Sequence, residues 1–98
     1  MEIFEKLFYK GTNREDRLDQ AISDYTKALE IDPENAGAWY NKGDALKNLG
    51  IYHEAIKAYG NFVNFASPEF AEDVKEIKGV IQDLENRIWG KYGKLLAC

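Results

Sequence analysis

Few residues of this 98-residue sequence have the types and spacing that catalysis or ligation requires. His53 is the only histidine, and no cysteine or second histidine lies near it in the chain, so neither a metal site nor an acid-base role is indicated. The segment GKYGK at 90–94 combines glycines with lysines, but a phosphate-binding loop needs a preceding strand and a Ser or Thr after the lysine. The sequence therefore predicts no catalytic, cofactor-binding or metal-binding residue, and we expect no enzymatic activity.

Charged side chains cluster at two places in the C-terminal third of the chain. A helix dipole favours acidic residues near the N-terminus of a helix and basic residues near its C-terminus, so a single helix explains both clusters without a ligand. Trp89 and Tyr92 beside the basic cluster are also compatible with a helix lying on a membrane surface, which we take as a minor alternative to packing. The acidic cluster contains Glu69, Glu72, Asp73 and Glu76, and the basic cluster contains Arg87, Lys91 and Lys94.

Composition narrows the class of protein. With 45% hydrophobic and 31% charged residues, the chain suits one small soluble domain. The formal net charge of -4 repels phosphate groups, so neither nucleic acid nor an anionic membrane is the expected partner. The single cysteine, Cys98, cannot form an internal disulfide, and no apolar run approaches the roughly 20 residues of a membrane span. We expect a cytoplasmic protein.

An internal repeat connects the first half of the chain with the second. Three residues return 34 positions later, since Ala21, Ile22 and Tyr25 recur as Ala55, Ile56 and Tyr59. Apolar residues recur at helical spacing around both sets and predict helices at 18–31 and 53–66. A third helix is predicted at 36–49, after a proline-containing turn at 32–35 and before Gly50 as its C-terminal cap. Each unit is a helix pair that must pack on a neighbour to bury its apolar face.

The C-terminal segment predicts a longer helix. Ser67 and Pro68 are typical of an N-cap and a first helical position, and the heptad-like spacing that follows predicts an amphipathic helix over 68–96. We expect its apolar residues to pack on Tyr59, Phe62 and Phe65, so that the helix caps the second unit. These apolar residues are Phe70, Val74, Ile77, Ile81, Leu84, Ile88 and Leu95.

The second unit resembles the tetratricopeptide repeat. The family's pattern is matched by Trp39, Gly43, Leu46, Tyr52, Ala55, Tyr59 and Pro68, and the first unit matches it through Leu18, Ala21, Tyr25, Ala28 and Pro33. The resemblance implies an all-α, right-handed helix-turn-helix solenoid of about two repeats with a long capping helix. Residues 1–98 would form one domain, with an irregular first repeat at 2–35, a second repeat at 36–68 and the capping helix at 69–96. Within the first repeat we expect a short helix followed by a charged loop, TNREDR, at 12–17.

The resemblance also implies a concave groove that binds a peptide or helix of another protein. Its residues would be Tyr40, Asn41, Asp44 and Lys47 of the second unit, with Glu72, Lys75 and Glu76 of the last helix. The family's clamp for a C-terminal carboxylate uses basic residues and asparagines, and here only Asn41 fits it. Because carboxylates would pair with cations and Tyr40 could stack on them, we expect a partner with basic or aromatic side chains.

Two functions are consistent with these features of the sequence. The leading interpretation is a non-enzymatic protein-protein interaction module that uses the groove. The alternative is a structural module that forms a homodimer, either through the heptad-like last helix or through the exposed end of the short array. A monomeric state in solution would favour the first interpretation, and a stable dimer the second.

Overall fold

The computed structural model describes the backbone of residues 14–97 and the side chains of residues 14–89. In this part of the chain helices follow one another without any β-strand, and the predicted all-α helical repeat is confirmed. The elements are α1 at Arg14–Ile31, α2 at Ala36–Asn48, α3 at Tyr52–Phe65, a 3-10 turn at Pro68–Phe70 and α4 at Ala71–Ala97.

Polar contacts close the predicted turn between α1 and α2. The Asn35 side chain accepts a hydrogen bond of 3.0 Å from the Ala38 backbone N–H and so caps the start of α2. The Trp39 indole N–H donates to the Pro33 carbonyl over 2.7 Å, which ties the first turn of α2 to the proline. The predicted turn at 32–35 is therefore confirmed.

Gly50 follows the last turn of α2, where the sequence predicts the C-terminal cap of this helix. Its φ of +82° lies in the left-handed region, which a residue with a Cβ adopts only with strain. The Ile51 N–H donates to the Leu46 carbonyl over 2.9 Å, the six-to-one bond of a Schellman motif. This bond turns the chain sharply into α3.

The hairpin of α2 and α3 is closed by small residues. Gly43 of α2 lies against the ring of Tyr59, and a Cβ added to Gly43 would be 2.6 Å from the Tyr59 Cδ1 atom. Ala55 and Tyr59 of α3 are fully buried. Gly43 and Ala55 therefore let the two helices approach closely.

The N-terminal half of α4 folds back onto α3. Ile77 and Leu84 are buried in one cluster with Tyr59 and Phe62, as the apolar spacing predicts. The expectation that Phe65 joins this interface is wrong, because Phe65 lies in the last turn of α3, outside the buried cluster, and is 40% exposed.

Two further expectations need correction. Residues 14–17 are not a loop but the first turn of α1, where the carboxylates of Glu15 and Asp16 suit the positive end of the helix dipole. Ser67 precedes the 3-10 turn in extended conformation, but its side chain makes no capping hydrogen bond. The predicted helix before residue 12 lies outside the part that the structure describes. The GKYGK segment belongs to the helical backbone of α4, but its side chains, including Lys91, Tyr92 and Lys94, and the side chain of Leu95 lie outside the described part.

Candidate functional site

A groove runs between α2 and α4. Helix α3 contacts both α2 and α4, so those two helices form the walls of the groove and side chains of α3 contribute to its floor. Two pockets open along it, one toward the N-terminal ends of the walls and one further along. We call them the aromatic pocket, of about 310 Å³, and the mixed-charge pocket, of about 450 Å³.

The aromatic pocket is built by side chains from both walls and the floor. Tyr40 and Asn41 come from α2, Phe62 from α3, Phe70 from the 3-10 turn and Asp73 from α4. The Tyr40 ring packs edge-to-face on Phe62, with centroids 5.1 Å apart and an interplanar angle of 72°. Phe62 is buried whereas Phe70 is 39% exposed, so Phe62 lies at the bottom of the pocket and Phe70 at its rim.

Carboxylates give this end of the groove a negative potential. Burial raises the pKa of the Tyr40 phenol, and the charges of Asp44, Glu76 and Asp73 raise that pKa further. All three carboxylates therefore lie close enough to Tyr40 to disfavour the negative charge of its ionised phenol. A cation in the same place would be attracted by them.

Asp44 also holds a buried side chain of the core. The Tyr59 hydroxyl donates a hydrogen bond of 2.5 Å to Asp44 Oδ1, which joins the floor helix to the wall helix. Burial of Tyr59 and this hydrogen bond both raise the pKa of the Tyr59 phenol well above its ordinary value. The bond fixes the Asp44 carboxylate in position beside the groove.

The mixed-charge pocket combines charges of both signs. Arg87 Nε donates to Asp83 Oδ2 over 3.1 Å, a pair one helical turn apart on α4, and this bond raises the pKa of Arg87. Exposed pairs of this kind contribute little to stability. The lining includes Lys47, Tyr52, Glu76, Val80, Asp83 and Arg87.

The predicted groove residues fall into three groups. Tyr40 and Asn41 line the aromatic pocket, while Lys47 and Glu76 line the mixed-charge pocket. Asp44 is bonded to Tyr59 and acts on Tyr40 through its charge. The remaining two, Glu72 and Lys75, are exposed and line neither of these pockets.

Several lining residues of α4 were not predicted from the sequence. Four of them follow a simple rule, because each of the four lies one position before a residue of the apolar seam of α4, as Asp83 lies before the buried Leu84. Gly79 is the exception. The apolar spacing thus contained the signal, displaced by one residue, or about 100° around the helix axis. The unpredicted residues are Asp73, Gly79, Val80, Asp83 and Arg87.

Other candidate chemistry is limited to surface features. His53 is exposed, and its ring lies edge-on to Trp89 with centroids 6.4 Å apart. Among the described residues, no group of three or more His, Cys, Asp or Glu side chains is arranged to hold a metal ion. Within the same residues, none of the helices has the length and apolar character needed to cross a membrane.

Comparison with known proteins identifies the repeat. A family model described as TPR repeat, the tetratricopeptide repeat, matches residues 14–50. The human small glutamine-rich tetratricopeptide repeat-containing protein beta is 40% identical over 50 residues, which are 49% of this chain and 16% of that protein. An uncharacterized protein of Methanocaldococcus jannaschii is 38% identical over 42 residues, 43% of this chain and 49% of the relative. The chain thus spans half or less of each relative's length, and no solved structure gives a significant match.

Proposed function

Because residues 14–50 of this chain belong to the tetratricopeptide-repeat family, we propose that it is a non-enzymatic module that binds a segment of another protein in the groove between α2 and α4. Tetratricopeptide repeats generally mediate protein-protein interaction and are generally not catalytic. The cytoplasm is the compartment that we propose for it.

The observation that supports groove binding is the placement of carboxylates around an aromatic pocket. Asp73 lines the pocket, and the charges of Asp44 and Glu76 reach Tyr40 within it. Such a surface complements a segment with basic side chains and disfavours an acidic segment. A terminal carboxylate is a poor ligand here, since Asn41 is the single residue that fits the family's carboxylate clamp.

Titration with fluorescent peptides of equal length, one basic and one acidic, tests the proposal. We expect the basic peptide to bind and the acidic peptide not to bind at the same salt concentration. Gly37→Leu provides a groove-blocking variant, because Gly37 lines the aromatic pocket and a Cβ there meets only the Asn35 Oδ1 atom, at 3.4 Å. Gly60→Leu is the control, since a Cβ at Gly60 meets nothing within 4 Å and Gly60 lines neither pocket.

Loss of binding in Gly37→Leu with retention in Gly60→Leu would support the groove as the binding surface. Equal binding by both variants, or preference for the acidic peptide, would contradict it. Circular dichroism of each variant establishes that the helices remain folded.

Self-association is the second candidate function, and exposed apolar side chains favour it. Ile31 at the end of α1 is 87% exposed and Trp89 on α4 is 53% exposed. Either could form part of a homodimer interface, at the exposed repeat end or along the C-terminal helix. Light scattering across a wide range of concentrations distinguishes the two functions. A concentration-independent monomer would support groove binding, and a stable dimer would support self-assembly.

A further inference from the structure

We infer that the aromatic pocket is an arginine-binding subsite, which accepts one arginine side chain of the partner protein. This inference rests on the proposed function and specifies the side chain that anchors the bound segment. It assigns roles to Phe70 and Asp73, which the sequence did not indicate as groove residues.

The walls of the pocket suit a flat cation. Tyr40, Phe62 and Phe70 contribute aromatic rings, and Phe70 at the rim keeps an exposed face. A guanidinium group is planar and weakly hydrated, so it stacks on aromatic rings at a small cost of dehydration. The methylene stem of arginine would cover the apolar part of the lining, which includes Ala36.

The polar groups of the same pocket match the donors of arginine. The Asp73 carboxylate can accept two parallel N–H bonds from a guanidinium, and the Asn41 side-chain oxygen can accept a third. Lysine offers a compact, strongly hydrated ammonium that makes no bidentate bond to a carboxylate. An aromatic ligand would bury Asp73 and Asn41 without giving them hydrogen-bond partners, which costs free energy.

Helix dipoles act against a cation here, but they are the smaller effect. The pocket lies at the N-terminal end of α2, through Ala36 and Gly37, and close to the start of α4. Each helix N-terminus is equivalent to about half a positive charge. Three carboxylates, those of Asp44, Asp73 and Glu76, act on Tyr40 and together outweigh these two partial positive charges.

Titration of the 15N-labelled chain of residues 1–98 with single-residue probes tests the inference. The probes are acetyl-arginine methylamide, its lysine and glutamate counterparts, and acetyl-citrulline methylamide, which has nearly the shape of arginine but no charge. We expect arginine to shift the amide resonances around Tyr40, Asn41 and Asp73 and to bind about tenfold more tightly than citrulline. Equal binding of arginine and citrulline, tighter binding of glutamate or lysine, or shifts confined to other surfaces would overturn the assignment.

A matched pair of variants separates the pocket from the general negative charge of the chain. Asp73→Asn removes the lining carboxylate, whereas Glu72→Gln removes the same charge from the adjacent exposed residue, which lines neither pocket. We expect Asp73→Asn to weaken arginine binding by about fivefold to tenfold and Glu72→Gln by less than about twofold. Equal losses in both variants would overturn the inference, since they would show attraction by charge alone.

A second pair tests the aromatic rim. Phe70→Leu and Phe65→Leu each replace an aromatic ring by an aliphatic side chain. The two phenylalanines are almost equally exposed, at 39% and 40%, but of the two only Phe70 lines the aromatic pocket. We expect weaker arginine binding in Phe70→Leu alone, because the ring that stacks on the guanidinium is lost. An unchanged affinity in Phe70→Leu would remove the stacking contact from the assignment and overturn it.

The outcomes for the subsite and for the proposed function can be told apart. If the basic peptide binds in the groove but its affinity does not respond to Asp73→Asn, the arginine assignment fails and the proposed function stands. If arginine binds as described but no peptide binds, the proposed function fails, and the pocket recognises arginine without serving as a subsite for a partner protein.

Discussion

Two sides of helix α2 are built in opposite ways. Toward α3 it presents Gly43, and the ring of Tyr59 lies directly against its backbone. Toward the groove it presents Tyr40, whose ring packs on Phe62 of α3, and pockets of about 310 and 450 Å³ remain between α2 and α4. One helix thus forms a closed interface through a small residue and borders an open groove through a large one. The size of a few side chains decides where two helices of this fold close on each other and where a groove stays open.

The largest expected effect concerns the attachment of the groove's second wall. Leu84 is 2% exposed and anchors α4 in the core, so Leu84→Ala should lower the free energy of unfolding by about 2–5 kcal/mol. Urea unfolding followed by circular dichroism measures this change. Ile31→Ala is the control, because Ile31 is almost fully exposed and its loss should change stability by less than about 0.5 kcal/mol. Equal effects would mean that α4 is not anchored through Leu84.

The closed interface can be tested through its glycine. Gly43→Ala places a Cβ 2.6 Å from the buried Tyr59 ring, and we expect a loss of about 1–3 kcal/mol despite the better helix propensity of alanine. Gly60→Ala meets nothing within 4 Å and should instead stabilise the chain by about 0.5–1 kcal/mol. We therefore predict that the two variants change the free energy of unfolding in opposite directions, as measured by urea unfolding. A gain in both variants would show that the contact between α2 and α3 is looser than described.

A smaller effect should appear at alkaline pH. Burial and the bond to Asp44 raise the pKa of Tyr59 in the folded state, whereas an unfolded tyrosine ionises near pH 10. The contribution of the neutral Tyr59 phenol to the stability of the fold is therefore fully present below about pH 10. It is lost as the pH rises further, by up to about 1.4 kcal/mol per pH unit. Tyr59→Phe should cost about 1 kcal/mol at pH 8 and should flatten the decline between pH 10 and 11. The same decline in both proteins would contradict the role assigned to Tyr59.

The smallest expected effect lies on the open side, in the mixed-charge pocket. Asp83 and Arg87 form an exposed pair within α4, so Asp83→Asn should leave the midpoint of urea unfolding unchanged. The same variant should alter the salt dependence of peptide binding, since its charge faces the groove. A clear loss of stability would mean that the pair of Asp83 and Arg87 supports the fold despite its exposure.

The sequence predicted the turns and the closed interface between α2 and α3, because residue type and backbone geometry are directly linked there. Gly50 requires a positive φ, the proline at 33 interrupts the helix, and the repeated alanines mark close contacts. The open side depends on how α4 is rotated about its axis relative to α2. Apolar spacing predicts the buried face of α4 but not which flank of that face borders the groove. For that reason Glu72 and Lys75 were expected there, while Asp73 and Asp83 line the pockets.

Asp44 has two roles, because its carboxylate accepts the hydrogen bond of the buried Tyr59 and also contributes to the charge near Tyr40. In evolutionary terms, a mutation at this position is pleiotropic, because it affects the core and the charge of the groove together. A mutation that changed its charge to suit a different partner would also weaken the core, whereas Asp73 and Glu76 are exposed and can change without that cost. We therefore expect charge-changing substitutions beside the groove to be tolerated at exposed residues of α4 more readily than at Asp44.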